Sequence, residues 1–82
     1  MPSDEFNQAA AALRARTTRP SDSDILVLYG LYKQVTVGNC NIAKPSAGDS
    51  QGQAKWDAWN KNKGKATADA ENQYITNVNK LV

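Results

Sequence analysis

The sequence predicts an all-α fold, a bundle of four helices in a single domain spanning residues 1–82. Apolar residues recur at three- and four-residue spacing in four segments, which is the periodicity of helices with one buried face. Pro20, the stretch 38–52 and Gly64 separate these segments. A length of 82 residues and an apolar content of 40% suit one small globular domain.

The first predicted helix covers residues 3–16 and has good helix propensity because of its run of alanines. Ser3 can cap its N-terminus, and Asp4 and Glu5 favour the positive end of the helix dipole. Pro20 disfavours helix at the residue before it, so the helix is expected to end upstream. The apolar positions that share one face are Phe6, Ala9, Ala10 and Leu13.

The second predicted helix begins after Ser21 as its cap and stops at Gly38. The run 25–28 taken alone also fits a buried strand. We favour a helix because the pattern continues for about four turns and no hairpin partner follows. The broad apolar face consists of Ile25, Leu28, Tyr29, Tyr32 and Val35.

A loop is predicted for residues 39–51, which are rich in Asn, Ser and Gly. It is long for so small a domain, and long loops often border a binding site. The third helix is predicted over residues 52–63. Trp56 and Trp59 lie one turn apart there and are interpreted mainly as packing residues.

The fourth predicted helix follows the break at Gly64 and starts near Ala66 or Thr67. Its apolar positions again have helical spacing, so it can close the bundle with one buried face. These positions are Ala70, Tyr74, Ile75, Val78, Leu81 and Val82.

Composition argues against an enzyme. The chain has no histidine, which removes the commonest general base and the commonest metal ligand. Cys40 is the single cysteine, so no internal disulfide can form, and we interpret it as an inert thiol. A net charge of +2 is too small for a general nucleic-acid binder. We therefore expect no catalytic residue, metal, cofactor or nucleic-acid partner.

The expected location is the cytoplasm. No apolar run approaches the roughly 20 residues that a membrane-spanning helix needs. The first six residues lack both the basic start and the apolar core of a signal peptide. A soluble cytoplasmic protein is the resulting expectation.

Two stretches place lysines beside large aromatic rings, residues 29–39 (YGLYKQVTVGN) and 53–60 (QAKWDAWN). Lysine offers a movable point charge for a phosphate. An aromatic ring can stack on a base, and a tyrosine hydroxyl can donate a hydrogen bond. The combination suits a ligand that has both a phosphate and a flat ring. The alternative is that the tyrosines only complete the core while Lys33 and Lys55 are solvated.

The same stretches resemble the acyl-CoA-binding protein family, whose members carry Tyr-Gly-x-Tyr-Lys-Gln-Ala-Thr-Val-Gly and Lys-Ala-Lys-Trp-Asp-Ala-Trp segments. The resemblance covers nearly the whole chain, including Phe6, Ala10, the turn 19–22 and Tyr74-Ile75. It implies a four-helix up-down-down-up bundle of the acyl-CoA-binding type. It also implies that the acyl chain lies in a groove against helices two and three.

The resemblance assigns the head-group contacts to particular residues. Tyr29, Lys33 and Lys55 match residues that hold the adenine ring and the ribose 3′-phosphate. Two lysines suit a phosphomonoester, which carries about −1.5 to −2 at neutral pH. Arg14 stands where a lysine is usual. The predicted ligand-binding set is Ala10, Arg14, Tyr29, Gly30, Leu31, Tyr32, Lys33, Lys55 and Tyr74.

The implied function is that of a monomeric intracellular carrier and buffer for medium- to long-chain acyl-CoA esters, with high affinity and no catalysis. Its implied partners are the acyl-CoA ligand and, transiently, enzymes that use acyl-CoA. The alternative is a helical protein-interaction module that docks a partner on its aromatic face. A titration with acyl-CoA distinguishes the two.

Several positions depart from the family's pattern. Ala47, Gly48 and Ser50 stand where bulkier apolar residues often occur, and we expect them at the rim of a looser or more polar acyl groove. Asn62 replaces a frequent leucine, and Arg16 replaces an apolar residue that commonly ends the first helix. These changes bear on affinity and stability because they leave the lysines and tyrosines in place.

Overall fold

The computed structural model describes residues 3–15 and 20–81, which form four α-helices. They are α1 (Asp4–Arg14), α2 (Asp22–Thr36), α3 (Ser50–Asn60) and α4 (Thr67–Leu81). The described residues contain no strand, so the all-α prediction is confirmed and the run 25–28 is helical. Two predicted helix ends, Arg16 and Val82, lie outside the described residues.

Serine side chains cap the first two helices as predicted. The Ser3 hydroxyl accepts a hydrogen bond from the Phe6 backbone N–H at 3.2 Å. The Ser21 hydroxyl accepts one from the Asp24 N–H at 3.2 Å. Each cap satisfies a donor that the first turn of a helix otherwise leaves unpaired.

The end of α2 confirms the predicted stop at Gly38. Its φ of +105° lies in the left-handed region, where glycine avoids the steric cost that a side chain would incur. The Gly38 N–H donates to the Lys33 carbonyl at 3.1 Å and so pairs one of the last carbonyls of the helix.

The boundaries of α3 differ from the predicted range of 52–63. The helix starts two residues earlier, because the Asp49 carboxylate accepts a hydrogen bond from the Gly52 N–H at 2.9 Å and caps it. It ends at Asn60, since residues 61–64 form turns that lead to Gly64 with a φ of +86°. The prediction placed the end three residues too late.

Two contacts between aromatic rings and lysines show that α2 and α3 run in the same direction. The Lys55 ammonium lies over the ring of Tyr29. One turn further along both helices, the Lys33 ammonium lies over the ring of Trp59. When the residue numbers of successive contacts increase along both helices, the two helices run parallel.

The direction of α4 is opposite to that of α2. The rings of Tyr32 and Tyr74 are 6.1 Å apart. Two residues further along α2, the Gln34 amide donates to the carbonyl of Lys65, which precedes α4. Later positions of α2 therefore contact positions nearer the start of α4, so the two helices are antiparallel.

α1 packs on α4 in the parallel sense. The Ser3 N–H donates to a Glu71 carboxylate oxygen at 2.6 Å, and three residues later the ring of Phe6 lies 4.8 Å from that of Tyr74. Taken with the other pairs, these contacts give the directions up, down, down and up. The predicted topology is confirmed.

The core lies where α1, α2 and α4 meet. Phe6 and Val78 are its largest fully buried side chains. Trp59 on α3 is also buried, but in a separate place against α2. The buried cluster consists of Phe6, Ala9, Ala10, Leu28, Leu31, Ala70, Tyr74 and Val78.

The tryptophans of α3 hold the loop that precedes this helix. The Trp59 indole N–H donates to the Gly38 carbonyl at 2.8 Å. The Trp56 indole N–H donates to the Ile42 carbonyl at 2.8 Å. Both bonds support the interpretation of the two tryptophans as packing residues.

Candidate ligand-binding site

A cavity of about 400 Å³ opens between α1, α2 and α4, and we call it the tyrosine cavity. Its walls are mainly apolar, and the lining residues that carry polar groups are three tyrosines and one arginine. The lining residues are Ala10, Leu13, Arg14, Pro20, Ile25, Leu28, Tyr29, Tyr32 and Tyr74. Its size falls within the range of about 300–1,000 Å³ that is typical of ligand pockets.

Phe6 fixes two of the three tyrosines. Its ring stacks on Tyr32 at 5.6 Å and meets Tyr74 at 4.8 Å between centroids. Such aromatic pairs contribute about 0.5–1.5 kcal/mol beyond the area they bury. The two phenol rings are therefore held in place before any ligand arrives.

The Tyr74 hydroxyl stays protonated at neutral pH. Burial raises its pKa above the ordinary value of 10.0, and the neighbouring Tyr32 raises it further, while the Arg14 guanidinium lowers it. A neutral phenol is a hydrogen-bond donor as well as an acceptor. Tyr74 can therefore donate to an oxygen or ring nitrogen of a ligand in the cavity.

Tyr29 connects the tyrosine cavity with the lysines. Its ring lines the cavity, and the Lys55 ammonium lies 5.6 Å from the ring centre. Lys33 follows Tyr29 by one turn of α2, and its ammonium lies 4.9 Å from the centre of the Trp59 ring. The ammonium groups of Lys33 and Lys55 thus lie on the side of Tyr29 that faces α3, and the apolar cavity lies on the side that faces α1 and α4.

Gly30 allows α3 to come close enough for this arrangement. A Cβ at this position would lie 2.2 Å from the backbone oxygen of Ala58, a distance that real Cβ atoms essentially never show. Only the absence of a side chain lets the two helix backbones approach this closely. The close approach brings Lys55 on α3 to the ring of Tyr29 on α2.

The structure brings most of the predicted site residues together. Ala10, Arg14, Tyr29, Tyr32 and Tyr74 all line the tyrosine cavity. Lys33 and Lys55 stand outside its lining and flank Tyr29.

Two predicted site residues, Gly30 and Leu31, do not line this cavity. Gly30 is packed against Ala58, and Leu31 is 2% exposed in the core. Gly30 therefore has a packing role, whereas Leu31 borders a second cavity, between α3 and α4. Contact of either residue with a ligand stays a prediction.

Sequence reasoning missed four lining residues, namely Leu13, Pro20, Ile25 and Leu28. Leu13, Ile25 and Leu28 were recognised as apolar helix-face positions, but that spacing alone does not distinguish a cavity wall from a packed core. Ile25 and Leu28 share a face of α2 with Tyr29, which was a predicted ligand-binding residue. Their position on this face was the sequence feature that could have indicated contact with the cavity.

Ala47, Gly48 and Ser50 lie at and just before the start of α3. All three are exposed, and none lines the tyrosine cavity or the other large cavity of the described residues. Ser50 is the first residue of α3, next to the Asp49 cap. Their expected place at the rim of the acyl groove stays a prediction.

Over the described part of the chain, no helix has the length and apolar content that crossing a bilayer requires. Within the same residues, no group of three or more His, Cys, Asp or Glu side chains could hold a metal ion.

The four helices form a bundle with the directions up, down, down and up, and two lysines lie beside its tyrosine-lined apolar cavity. These features define a small helical ligand-binding protein.

Residues 3–78 match the family model described as acyl CoA binding protein. The chain is 50% identical to an acyl-CoA-binding protein homolog of Drosophila melanogaster, over 100% of this chain and 95% of the fly protein. It is 42% identical to an acyl-CoA-binding protein of Brassica napus, over 96% of this chain and 86% of the plant protein.

The fold agrees with solved structures of the same kind. The crystal structure of Oryza sativa acyl-CoA-binding protein 2 superposes with a TM-score of 0.90 at 38% identity, covering 95% of this chain and 85% of the rice chain. The protein therefore belongs to the acyl-CoA-binding protein family. This membership does not favour the alternative of a protein-interaction module.

Proposed function

We propose that the protein binds medium- to long-chain acyl-CoA esters and serves as an intracellular carrier and buffer for them. The observation that carries this proposal is the position of Tyr29, which lines an apolar cavity and has the Lys55 ammonium over its ring. A ligand with a base, a phosphate and a hydrocarbon chain needs these three environments next to one another. Family membership supports the same ligand.

The head group is assigned to the tyrosine cavity and its lysine side. The adenine ring suits the flat faces of Tyr29 and Tyr32, with the Tyr74 hydroxyl as a donor. The ribose 3′-phosphate suits Lys33 and Lys55, whose ammonium groups lie over neutral aromatic rings. A phosphate offers them a far stronger partner than a ring face does.

Burial of the hydrocarbon chain supplies much of the affinity. Each buried methylene contributes about 0.8 kcal/mol, so ten of them supply about 8 kcal/mol before losses. With the phosphate contacts, a nanomolar dissociation constant is within reach, corresponding to about −12 kcal/mol. Binding of this strength keeps an amphiphile out of micelles and membranes.

The proposed carrier has no catalytic role. It acts as a cytoplasmic monomer, performs no chemistry on the thioester, and releases its ligand to enzymes that consume acyl-CoA. The absence of histidine from the sequence supports the non-catalytic role.

Isothermal titration calorimetry with dodecanoyl-CoA, free CoA and dodecanoic acid tests the proposal. The thioester is expected to bind far more tightly than either of its halves, because only the intact ligand uses both the lysines and an apolar surface. Equal affinity for the free acid and the thioester would overturn the carrier function. Tight binding of free CoA with no gain from the acyl chain would overturn the assignment of the hydrocarbon.

A further inference from the structure

The second cavity, of about 420 Å³, lies between α3 and α4. Both helices pack on α2, but over the described residues they do not pack on each other, so α2 forms the floor of a groove. We call it the α3–α4 groove. One part of its lining is apolar, and the other part carries ammonium and amide groups. The lining residues are Ser23, Leu26, Val27, Leu31, Ala54, Asp57, Ala58, Lys61, Asn62, Lys65, Gln73 and Asn77.

Apolar side chains line the part of the groove that α2 and α3 share. Leu26 and Val27 come from α2, and Ala54 comes from α3. Val27 is 51% exposed, so a bound hydrocarbon would remove more of its surface from water. This part coincides with the face of helices two and three to which the family resemblance assigns the acyl chain.

The end of the groove at Leu26 and Ala54 is the end nearest the head group, because Ala54 directly precedes Lys55 on α3. Further along, the backbones of α2 and α3 meet at Gly30 and Ala58 and leave no room for a chain to cross between them. A chain that starts at the head group therefore enters beside Ala54 and runs toward the C-terminal end of α3.

The far end of the groove carries positive charge without a matching carboxylate. The Lys65 ammonium donates to the Asn62 and Gln73 side-chain oxygens, at 3.0 Å and 2.6 Å, and both acceptors are neutral amides. Lys61 lines the same cavity, and the described carboxylates form no ion pair with it or with Lys65.

The single acidic side chain that lines the groove does not oppose an anion. The Asp57 carboxylate forms an ion pair with the Lys44 ammonium at 3.3 Å. This pair is half exposed and contributes little to stability, but it balances the one negative charge of the lining. Lys61 and Lys65 therefore remain as uncompensated positive charges.

Asn62 makes the buried wall of this end polar. Its side chain donates to the Ala58 carbonyl at 3.1 Å and accepts from the Lys65 ammonium. A leucine, which is frequent at this position in the family, would present methyl groups instead. The methyl end of an unsubstituted acyl chain would cover polar groups here without replacing their hydrogen bonds to water, which is unfavourable.

Lys61 lies within reach of an acyl chain that enters beside Ala54. It is the C-cap of α3, seven residues after Ala54, or about 10 Å along the helix at about 1.5 Å per residue. An extended chain of about nine carbons covers this distance. With a few further carbons between the thioester and Ala54, a chain of about twelve carbons ends at Lys61.

We propose that the preferred ligands are CoA thioesters whose acyl chain ends in a second carboxylate, an inference that rests on the proposed carrier function. The distal carboxylate lies at Lys61 and Lys65, where it forms charge-assisted hydrogen bonds. The methylenes between the two ends of the chain lie on Leu26, Val27 and Ala54. An apolar chain end would leave the two ammonium groups without an anionic partner.

Isothermal titration calorimetry with dodecanoyl-CoA and with dodecanedioyl-CoA, the mono-CoA thioester of the twelve-carbon dicarboxylic acid, tests the inference. The dicarboxylic thioester is expected to bind about threefold or more tightly than dodecanoyl-CoA. A groove with an apolar end would bind it at least about tenfold more weakly, because the carboxylate would lose its hydration. Binding no tighter than that of dodecanoyl-CoA would overturn the proposal.

Charge variants locate the distal carboxylate. Lys61→Gln and Lys65→Gln together should abolish the preference for the dicarboxylic thioester, so that the ratio of the two affinities falls to one or below. Lys63→Gln removes the same charge from an exposed position outside the groove and should leave the ratio unchanged. An equal fall in the Lys63 control would show a general electrostatic effect and overturn the site.

Asn62→Leu tests the same end of the groove without removing a charge. Leucine is frequent here in the family, so the variant is expected to fold. It should tighten binding of dodecanoyl-CoA and weaken binding of dodecanedioyl-CoA, because methyl groups replace an amide beside the chain end. An unchanged ratio of the two affinities would contradict the assigned position.

The two thioesters also separate this inference from the proposed carrier function. If neither thioester binds, the carrier function fails and the inference fails with it. If dodecanoyl-CoA binds tightly and the dicarboxylic thioester binds no better, the carrier function stands and only the preference for a distal carboxylate is overturned.

Discussion

At the scale of single residues, the two lysines of the site make only weak contacts with aromatic rings. The ammonium groups of Lys33 and Lys55 lie 4.9 and 5.6 Å from the centres of aromatic rings. Cation–π contacts of this kind at partly exposed positions are worth about 0.5–1 kcal/mol. A phosphate oxygen can replace these cation–π contacts at little cost in free energy. The lysines are therefore positioned near the site and remain able to bind a phosphate.

Lys33→Ala and Lys55→Ala are each expected to weaken acyl-CoA binding by about 1.5–3 kcal/mol, the range for hydrogen bonds to charged groups. Calorimetry with dodecanoyl-CoA and with its 3′-dephospho analogue measures the loss. The loss should shrink for the analogue, because the partner of the lysines is missing. Lys63→Ala is the matched control. Equal losses with both ligands would mean that these lysines do not contact the 3′-phosphate.

Tyr74 gives a prediction about alkaline pH. The folded-state pKa is raised above 10.0, so the folded protein retains this proton at pH values where the unfolded chain loses it. The free energy of unfolding should therefore decrease as pH rises through about 10 toward the higher folded pKa. Tyr74→Phe removes that part of the decrease. Urea denaturation of both proteins at about pH 7 and pH 10.5 measures it, and a constant difference between them would contradict the prediction.

The lysine and tyrosine positions of the site could be predicted from the sequence, whereas its apolar walls could not. Tyr29 and Lys33 share a helix face by their spacing, and the family resemblance linked them to Lys55 across the loop. Leu13 and Ile25 carry no comparable signal. Whether an apolar side chain borders a void or fills the core depends on neighbours from other helices, which are remote in sequence.

At the scale of helices, the pairing of α2 with α3 depends on one position without a side chain. Gly30 lies mid-helix, where glycine is unfavourable by about 1 kcal/mol relative to alanine. The contact with the Ala58 carbonyl explains why this cost is tolerated. The same contact sets the distance between the helices that carry Tyr29 and Lys55.

Gly30→Ala should therefore destabilise the fold despite its better helix propensity. Overpacking costs about 1–3 kcal/mol, against a propensity gain of about 1 kcal/mol, so we expect a net loss of up to about 2 kcal/mol. Chemical denaturation measures the change. Gly48→Ala is the control, because a Cβ there meets nothing within 4 Å, and its effect should stay within about 0.5 kcal/mol. Equal stability of the two variants would contradict the packing argument.

The start of α3 was predicted two residues too late. Asp49 and Ser50 are common in loops as well as at helix N-termini, and neither is followed by a clear apolar stripe. The hydrogen bond from Gly52 to Asp49 decides the boundary. By contrast, Ser3 and Ser21 precede strongly periodic segments, and both were identified correctly as caps.

At the scale of the whole molecule, four helices and their periodic faces followed from the sequence, but the direction of the helices followed only from the family resemblance. Periodicity shows which face is buried and not which helix covers it. The resemblance also implied a groove against helices two and three, and a cavity of about 420 Å³ borders both helices. Its lining includes Leu26 and Val27 of α2 and Ala54 and Ala58 of α3. Its shape depends on side chains from separate helices, which periodicity does not specify.

A ligand that binds only the folded state must stabilise the whole domain. At a free dodecanoyl-CoA concentration of 100 times its dissociation constant, the gain is about 2.7 kcal/mol. For a domain of this size, each kcal/mol raises the melting temperature by about 4–8 °C. Thermal denaturation followed by circular dichroism should show a rise of more than about 10 °C. Free CoA at the same concentration should give a smaller rise, and no difference between the two would contradict the proposed ligand.

The contact between Lys33 and Trp59 gives the protein an intrinsic fluorescent reporter. Indole emission depends on charges near the ring, and the Lys33 ammonium lies 4.9 Å from its centre. Trp59 is 3% exposed, so solvent contributes little to its spectrum. A bound phosphate that draws the ammonium away from the ring would change the emission without any label. Lys33→Ala should reproduce this spectral change in the free protein and make its emission insensitive to the 3′-phosphate.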